Sequence, residues 1–294
     1  MSPQLFKARN VIVQGITGVH GQFQTKAMLA AGTHIVAGTS PNKAGETVEG
    51  VPVYDTIVGI QKNHQVDISI IFVPAPLAQG AVLEAIAAKV PLIICITEGI
   101  PIHDMLQIRQ RLKSSKSVLI GPNSPGVIVP GTNKLGIIPV NISLPGHTAV
   151  VSRSGTLTYE VMAGLSARGI GQAYVIGIGG DKICGTNFID CCKLFEEDPN
   201  VDRIVIISEI GGQDEIEAAA FIKQHVTKPV FAYVAGHHAP KGVQLGHAGA
   251  IIDDADDSAD NKTKILSKAG AITAKSITDL LTIVATAQNF KNNQ

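Results

Sequence analysis

Asn10-Val11-Ile12-Val13-Gln14-Gly15-Ile16-Thr17-Gly18-Val19-His20-Gly21 sets the architecture of this chain. Residues 10–14 form a short apolar run that reads as a buried strand. Three glycines then space a loop, and a helix-like stretch follows over 21–31. Strand, glycine loop and helix together open a β-α-β unit. Glycine permits positive φ and close backbone approach. The helix start beyond it offers amide donors and a positive dipole end to a phosphate. The loop therefore reads as a phosphate cradle, although a plain tight turn would have the same composition.

The same rhythm continues outward. Strands are expected at 34–38, 68–73, 92–96 and 118–120, with helices over 77–89 and 103–113. It breaks near Gly121, where Pro122, Pro125, Pro130, Pro139 and Pro145 crowd one stretch that reads as a passage between domains. A second series follows, with strands at 148–152, 172–178, 203–208 and 230–234. Its helices are expected over 156–168, 188–197, 214–225, 258–268 and 276–288. The expected division is a first α/β domain over 1–125, a connecting segment over 126–145 and a second over 146–294. Ile94-Cys95-Ile96-Thr97-Glu98-Gly99 and Ile206-Ile207-Ser208-Glu209-Ile210-Gly211 each end an apolar strand on an acid and a glycine. Ligands in such sheets bind beyond the carboxyl ends of strands, which makes both acids candidates for chemistry.

Composition agrees with this picture. Charges balance at 24 basic against 24 acidic residues, so no general affinity for nucleic acid or anionic membranes is expected. Apolar residues make up 45% with only 4% aromatic, which suits helices packed on buried parallel strands. Cys95, Cys184, Cys191 and Cys192 form no C-x-x-C pair and read as reduced, small apolar residues in an intracellular compartment, cytoplasmic or a mitochondrial matrix. The start MSPQLFKARN lacks the apolar core of a secretory signal. No apolar run approaches the roughly 20 residues of a membrane span.

An NAD site calls for an acid at the end of the second strand to hold the ribose hydroxyls. Here that end reads Val36-Ala37-Gly38-Thr39-Ser40-Pro41-Asn42-Lys43. Hydroxyls and Lys43 suit a phosphorylated ribose instead, either NADP or the 3′-phosphate of CoA; a solvated loop lysine is the plain alternative. Val73-Pro74-Ala75-Pro76 and Ile96-Thr97-Glu98-Gly99 give stiff, small-residue rims that could flank an adenine or a pantetheine arm.

In the second half, Ser152-Arg153-Ser154-Gly155-Thr156 joins a strand to a helix. Ser154 or Thr156 can cap that helix, and the free amides near Gly155 can hold a phosphoryl group. Gly246-His247-Ala248-Gly249-Ala250 places an imidazole among small residues in a loop. Imidazole is a competent nucleophile near neutral pH. Glu209 could accept from its other ring nitrogen and fix the tautomer. His237, His238 and the acids Asp253, Asp254, Asp256 and Asp257 match no metal-ligand spacing. The acids read as a solvated run, and no metal site is expected.

Eight segments together, 15–21, 73–76, 96–101, 121–126, 152–160, 177–181, 209–212 and 246–250, resemble the alpha subunits of succinyl-CoA synthetases, in order and over nearly the whole chain. The resemblance implies a Rossmann-like CoA-binding domain followed by a flavodoxin-like, doubly wound α/β ligase domain. It implies that Gly15, Thr17, Gly18, Val19, His20, Lys43, Pro74, Ile96, Thr97 and Glu98 hold CoA, with Thr17 to His20 at its phosphates. Ser154, Gly155 and Thr156 are then the phosphate site, Tyr159 lies at the substrate, and His247 is the phosphorylated residue with Glu209 as its partner. The implied enzyme is an acid–thiol ligase of the tricarboxylic acid cycle. It interconverts succinyl-CoA, phosphate and ADP or GDP with succinate, CoA and ATP or GTP. Nucleotide and Mg2+ would sit on a separate ATP-grasp beta subunit, in an αβ or α2β2 assembly. Alternatives are an acetate or malate CoA ligase of the same scheme, or a non-enzymatic CoA or NADP sensor. The chain departs from the family pattern at Ser124, where a cysteine is usual, at His237 and His238, and at Asp253–Asp257, where glycines are usual.

Overall fold

The computed structural model describes residues 1–292. It divides into two compact units. The first comprises Met1–Ile128, Thr132–Ile138 and Ile183–Thr186, and the second Val129–Gly131, Pro139–Lys182 and the chain from Asn187 onward.

After a short helix α1 (Pro3–Lys7), the first unit runs β1 (Val11–Gln14), α2 (Val19–Ala30), β2 (Ile35–Thr39), β3 (Thr47–Val48), β4 (Val51–Tyr54) and α3 (Ile57–Gln61). It continues with β5 (Ile68–Ile71), α4 (Ala75–Ala87), β6 (Leu92–Cys95), α5 (Ile102–Lys113) and β7 (Val118–Ile120). Its sheet has the order β3-β4-β2-β1-β5-β6-β7. All neighbours are parallel except β3 and β4. Counting parallel strands along the chain, the order is the Rossmann one, which reverses direction between β1 and β5. β1, β5 and β6 are buried at every position. Such unbroken apolar runs are what a sheet covered on both faces requires. Ile12, Ile71 and Ile93 from the sheet pack with Val82 of α4 and Met105 and Ile108 of α5 in one core.

The second unit runs β10 (Pro145–Ser152), α6 (Gly155–Ser166), β11 (Gln172–Gly177), α7 (Phe188–Glu197), β12 (Arg203–Glu209), α8 (Asp214–His225) and β13 (Val230–Ala235). It closes with α9 (Ala259–Lys268), β14 (Ile272–Ala274) and α10 (Ile277–Asn292). These strands are parallel in the order β14-β13-β12-β10-β11. That is the flavodoxin order, and it reverses between β10 and β12.

The stretch read as a connector holds two strands, β8 (Gly126–Val129) and β9 (Asn133–Gly136). Proline and glycine there shape a hairpin rather than a loose passage. A Cβ on Gly126 would stand 2.1 Å from the carbonyl oxygen of Leu135, so only glycine lets the strands approach. The Asn133 amide anchors β9 by donating to the carbonyls of Phe6 at 2.9 Å and Ala8 at 3.0 Å. The β3–β4 hairpin was also outside the sequence expectation. Its turn is Glu49-Gly50, both at positive φ (51° and 79°), a pair with a weaker signature than Asn-Gly.

Candidate functional site

The glycine loop after β1 and the Ser154 turn after β10 sit at the reversal points of their sheets. In the first unit, Gly15 has φ +80°, and a Cβ on it would lie 3.0 Å from Cγ1 of Val73, just past β5. Gly21 is pressed closer still: a Cβ there would be 2.2 Å from the Gly15 carbonyl oxygen. The glycine spacing thus folds the start of α2 directly onto the loop. Gly18 is the N-cap, and Val19 and His20 begin the helix with exposed side chains. Thr17 Oγ1 lies 2.8 Å from Ser40 Oγ at the end of β2. The Thr97 hydroxyl donates to the Val73 carbonyl at 2.6 Å, tying the ends of β5 and β6 together. Pro74 is the N-cap of α4, and Ile96 donates its amide to the Ile71 carbonyl at 3.2 Å.

Thr17, Gln22, Lys43, Glu46 and Glu49 line a polar hollow of about 370 Å³ there. Lys43 is half-exposed and paired with Glu46 at 2.9 Å. For Lys43 to meet a phosphate, that surface pair must open, at little cost for so exposed a bridge. Glu98 is exposed and lies three residues beyond the end of β6. A larger hollow of about 960 Å³ lies where α4 and α5 end, against Leu83, Lys89 and Arg111. It is at the wrong edge of the sheet for a strand-end site.

In the second unit, Glu209 closes β12 and is buried. His247 Nδ1 lies 2.9 Å from each of its carboxylate oxygens. Residues 38 apart in sequence are therefore joined in the contact expected of a carboxylate-oriented imidazole. The ring rests on Gly180, where a Cβ would fall 2.4 Å from its Cγ. Gly249 donates its amide to the Gly180 carbonyl at 3.3 Å, and Ala250 donates to the His247 carbonyl at 3.0 Å. Gly211, at φ +87°, lets the turn after β12 pack on the same loop, since a Cβ there would be 2.0 Å from the Gly249 carbonyl oxygen.

Ser154 caps α6 by accepting from the Leu157 amide at 3.3 Å. Gly155 opens the helix and Thr156 is exposed in its first turn. Tyr159 is half-buried one turn further on, and burial raises its phenol above the ordinary range. Arg153, only 4% exposed, donates to Asp214 at 2.9 Å, at the start of α8. Its Nη1 lies 3.7 Å from where a Cβ of Gly249 would stand. A cation is thus built in beside the histidine loop. The motif contained Arg153, but nothing in its spacing announced that role.

The acidic stretch is not uniformly solvated. Asp253, Asp254 and Asp256 are exposed, whereas Asp257 is buried and accepts on its carbonyl from Gly211 at 2.9 Å. His237 pairs with Asp260 at 2.6 Å, which lowers the Asp260 carboxyl chiefly by that hydrogen bond. Among the described residues, no three His, Cys, Asp or Glu side chains are grouped to hold a metal ion. Ser124, where the family pattern has cysteine, is buried and accepts from the Gly126 amide at 2.9 Å. No helix among the described residues is long and apolar enough to cross a membrane.

The chain carries two α/β units, one with a glycine loop after its first strand and one with a carboxylate-held histidine. Residues 6–99 match the CoA binding domain family and residues 151–272 the CoA-ligase family. The chain is 50% identical over 94% of its length to succinate–CoA ligase [ADP-forming] subunit alpha 2 of Archaeoglobus fulgidus, covering 96% of that protein. It is 46% identical over 98% of its length to the corresponding alpha subunit of Staphylococcus epidermidis, covering 95% of it. Its fold matches ATP citrate lyase of Methanothrix soehngenii, solved with citrate and coenzyme A, at a TM-score of 0.88 and 24% identity. It covers 97% of this chain and half of that one. The chain belongs to the family of succinate–CoA ligase alpha subunits.

Proposed function

We propose that this chain is the phosphoryl-carrying alpha subunit of an ADP-forming succinate–CoA ligase, and that His247 is the residue that carries the phosphate. The observation behind it is the His247–Glu209 contact, 2.9 Å from Nδ1 to both carboxylate oxygens, on a loop packed against Gly180 after β11 and Gly211 after β12. With Nδ1 engaged by Glu209, Nε2 is the nucleophilic nitrogen.

The chemistry divides into three transfers. A phosphate oxygen attacks the succinyl carbonyl of succinyl-CoA, the C–S bond breaks, and CoA leaves as thiolate. Nε2 of His247 then attacks phosphorus, the P–O bond to succinate breaks, and succinate leaves as carboxylate. The Glu209 carboxylate stabilises the imidazolium character that builds up on the ring. Finally an ADP oxygen attacks phosphorus, the N–P bond breaks, and the imidazole is restored. Amides at the start of α6, near Ser154, Gly155 and Thr156, together with Arg153, offer fixed positive charge to the phosphoryl oxygens. Tyr159 lies one turn along the same helix for contact with succinate.

In the first unit the fit to CoA rests on its own residues. Gly15 to His20 give a phosphate cradle, Lys43 a cation, and Pro74, Ile96, Thr97 and Glu98 a rim. Nucleotide and Mg2+ belong to an ATP-grasp beta subunit, in an αβ or α2β2 assembly in the cytoplasm. The names of the relatives, which specify subunit alpha and ADP, favour this reading over an acetate or malate ligase.

The test is to incubate the chain, copurified with its beta subunit, with γ-labelled ATP and to map the label by peptide. Acid-labile phosphate is expected on His247. His247→Asn is expected to abolish it while CoA still binds. Undiminished labelling of that variant would remove His247 from the mechanism.

A further inference from the structure

Lys262 and Glu215 are almost completely buried, at 0% and 1% exposed, and are paired at 2.6 Å. The Lys262 ammonium has three donors, and three acceptors meet it: Oε2 of Glu215 at 2.6 Å, the Glu209 carbonyl at 3.0 Å and the Gly211 carbonyl at 2.6 Å. The other Glu215 oxygen accepts from the Ser208 hydroxyl at 2.6 Å. Every partner outside the pair therefore belongs to the end of β12 and the turn after it. That is the segment from which the Glu209 side chain reaches His247.

A buried ion pair rarely stabilises a fold more than apolar side chains of the same size would, because both charges lose their hydration. What such a pair does supply is direction. The turn after β12 needs it, for Gly211 and Gly212 both stand at positive φ and carry no side chain to brace them. The excursion that bears His247 leaves β13 at Ala235 and returns into α9 at Ala259, so Lys262 anchors Glu209 from just outside it.

We propose that Lys262, paired with Glu215, is a positioning residue for phosphoryl transfer. It pins the Glu209 and Gly211 carbonyls, which keeps the Glu209 carboxylate astride His247 Nδ1 and the Gly211 turn against Gly249. It does so from α9, outside the excursion that bears His247. The inference rests on the phosphoryl-carrier reading of His247.

The experiment is a double-mutant cycle on the copurified complex, read as the single-turnover rate of His247 labelling from γ-labelled ATP across ATP concentrations. Lys262→Met is expected to slow labelling at saturating ATP by about tenfold or more, with the half-saturating concentration unchanged. In a Glu209→Gln background, the same change is expected to add little, because its effect passes through Glu209. Lys262→Met combined with Glu215→Gln removes both charges, is expected to fold, and is expected to stay slow. It takes the place of the single variant if an unpaired Glu215 prevents folding. Wild-type labelling rates in the Lys262 variants, or losses that multiply fully in the Glu209→Gln background, would overturn the positioning role alone. A wild-type complex that takes no label on His247 overturns it together with the reading beneath it.

Discussion

A methyl group on Gly180 has no room. Built there, it would lie 2.4 Å from Cγ and 2.8 Å from Nδ1 of His247, a ring that Glu209 holds by Nδ1. Gly180→Ala must therefore push the ring off the carboxylate. Reaction geometry is sensitive to displacements of about 1 Å, which can cost about 100-fold in rate. The variant is expected to lose about that much of its His247 labelling, with its thermal midpoint little changed, as rapid-quench labelling and differential scanning calorimetry would show. In the sequence Gly180 merely follows Gly179 past the strand expected at 172–178, and only the fold put an imidazole against it.

At the scale of elements, local signals marked helices α7 and α8 well. Asn187 and Asp190 form a capping box at the start of α7, each side chain accepting from the other's amide, at 3.0 and 3.2 Å. Asn187→Ala is expected to lower the stability of the second unit by about 1 kcal/mol without slowing His247 labelling, which chemical denaturation beside the labelling assay would check. Helices α8 and α9 hide a stronger clue. The buried face of α8 is Glu215, Ala218, Ala219 and Ile222, and that of α9 is Ala259, Lys262 and Leu266. Each apolar stripe contains one charge of opposite sign. A charge inside an apolar stripe demands a buried partner, so the pattern could have announced the pair from sequence. It could not have said that the two would meet each other under the end of β12.

For the molecule as a whole, the cysteines report on the two units. Cys95 is buried in the first; Cys191 and Cys192 are buried in the second, and Cys184 is partly exposed. Burial pushes the Cys192 thiol up to about 12 and the Cys191 thiol well above its ordinary value, so neither supplies thiolate near pH 8. Maleimide at pH 8 is expected to label Cys184 in the native chain and to spare the other three. Through a urea series, labelling of Cys95 then follows unfolding of the first unit and that of Cys191 and Cys192 the second, as read by peptide mass spectrometry. Fast labelling of Cys191 in native buffer would contradict its burial on α7.

Patterns contained within a few residues were settled by the sequence itself: the β-α-β alternation, the tight glycine loop after β1, a helix start at Ser154 or Thr156, and a histidine among residues too small to bury it. Each rests on backbone geometry or on a local period, and so can be read where it stands. The tertiary structure alone decided which strands lie side by side, and so that the turns after β1 and β10 fall at the reversal points of their sheets. It also decided that Glu209 reaches His247, that Lys262 reaches under Glu209, and that prolines at 122–145 frame a hairpin. Lys262 and Glu209, for one, stand 53 positions apart. Such contacts depend on the summed packing of whole helices and strands, which no short stretch of the chain expresses.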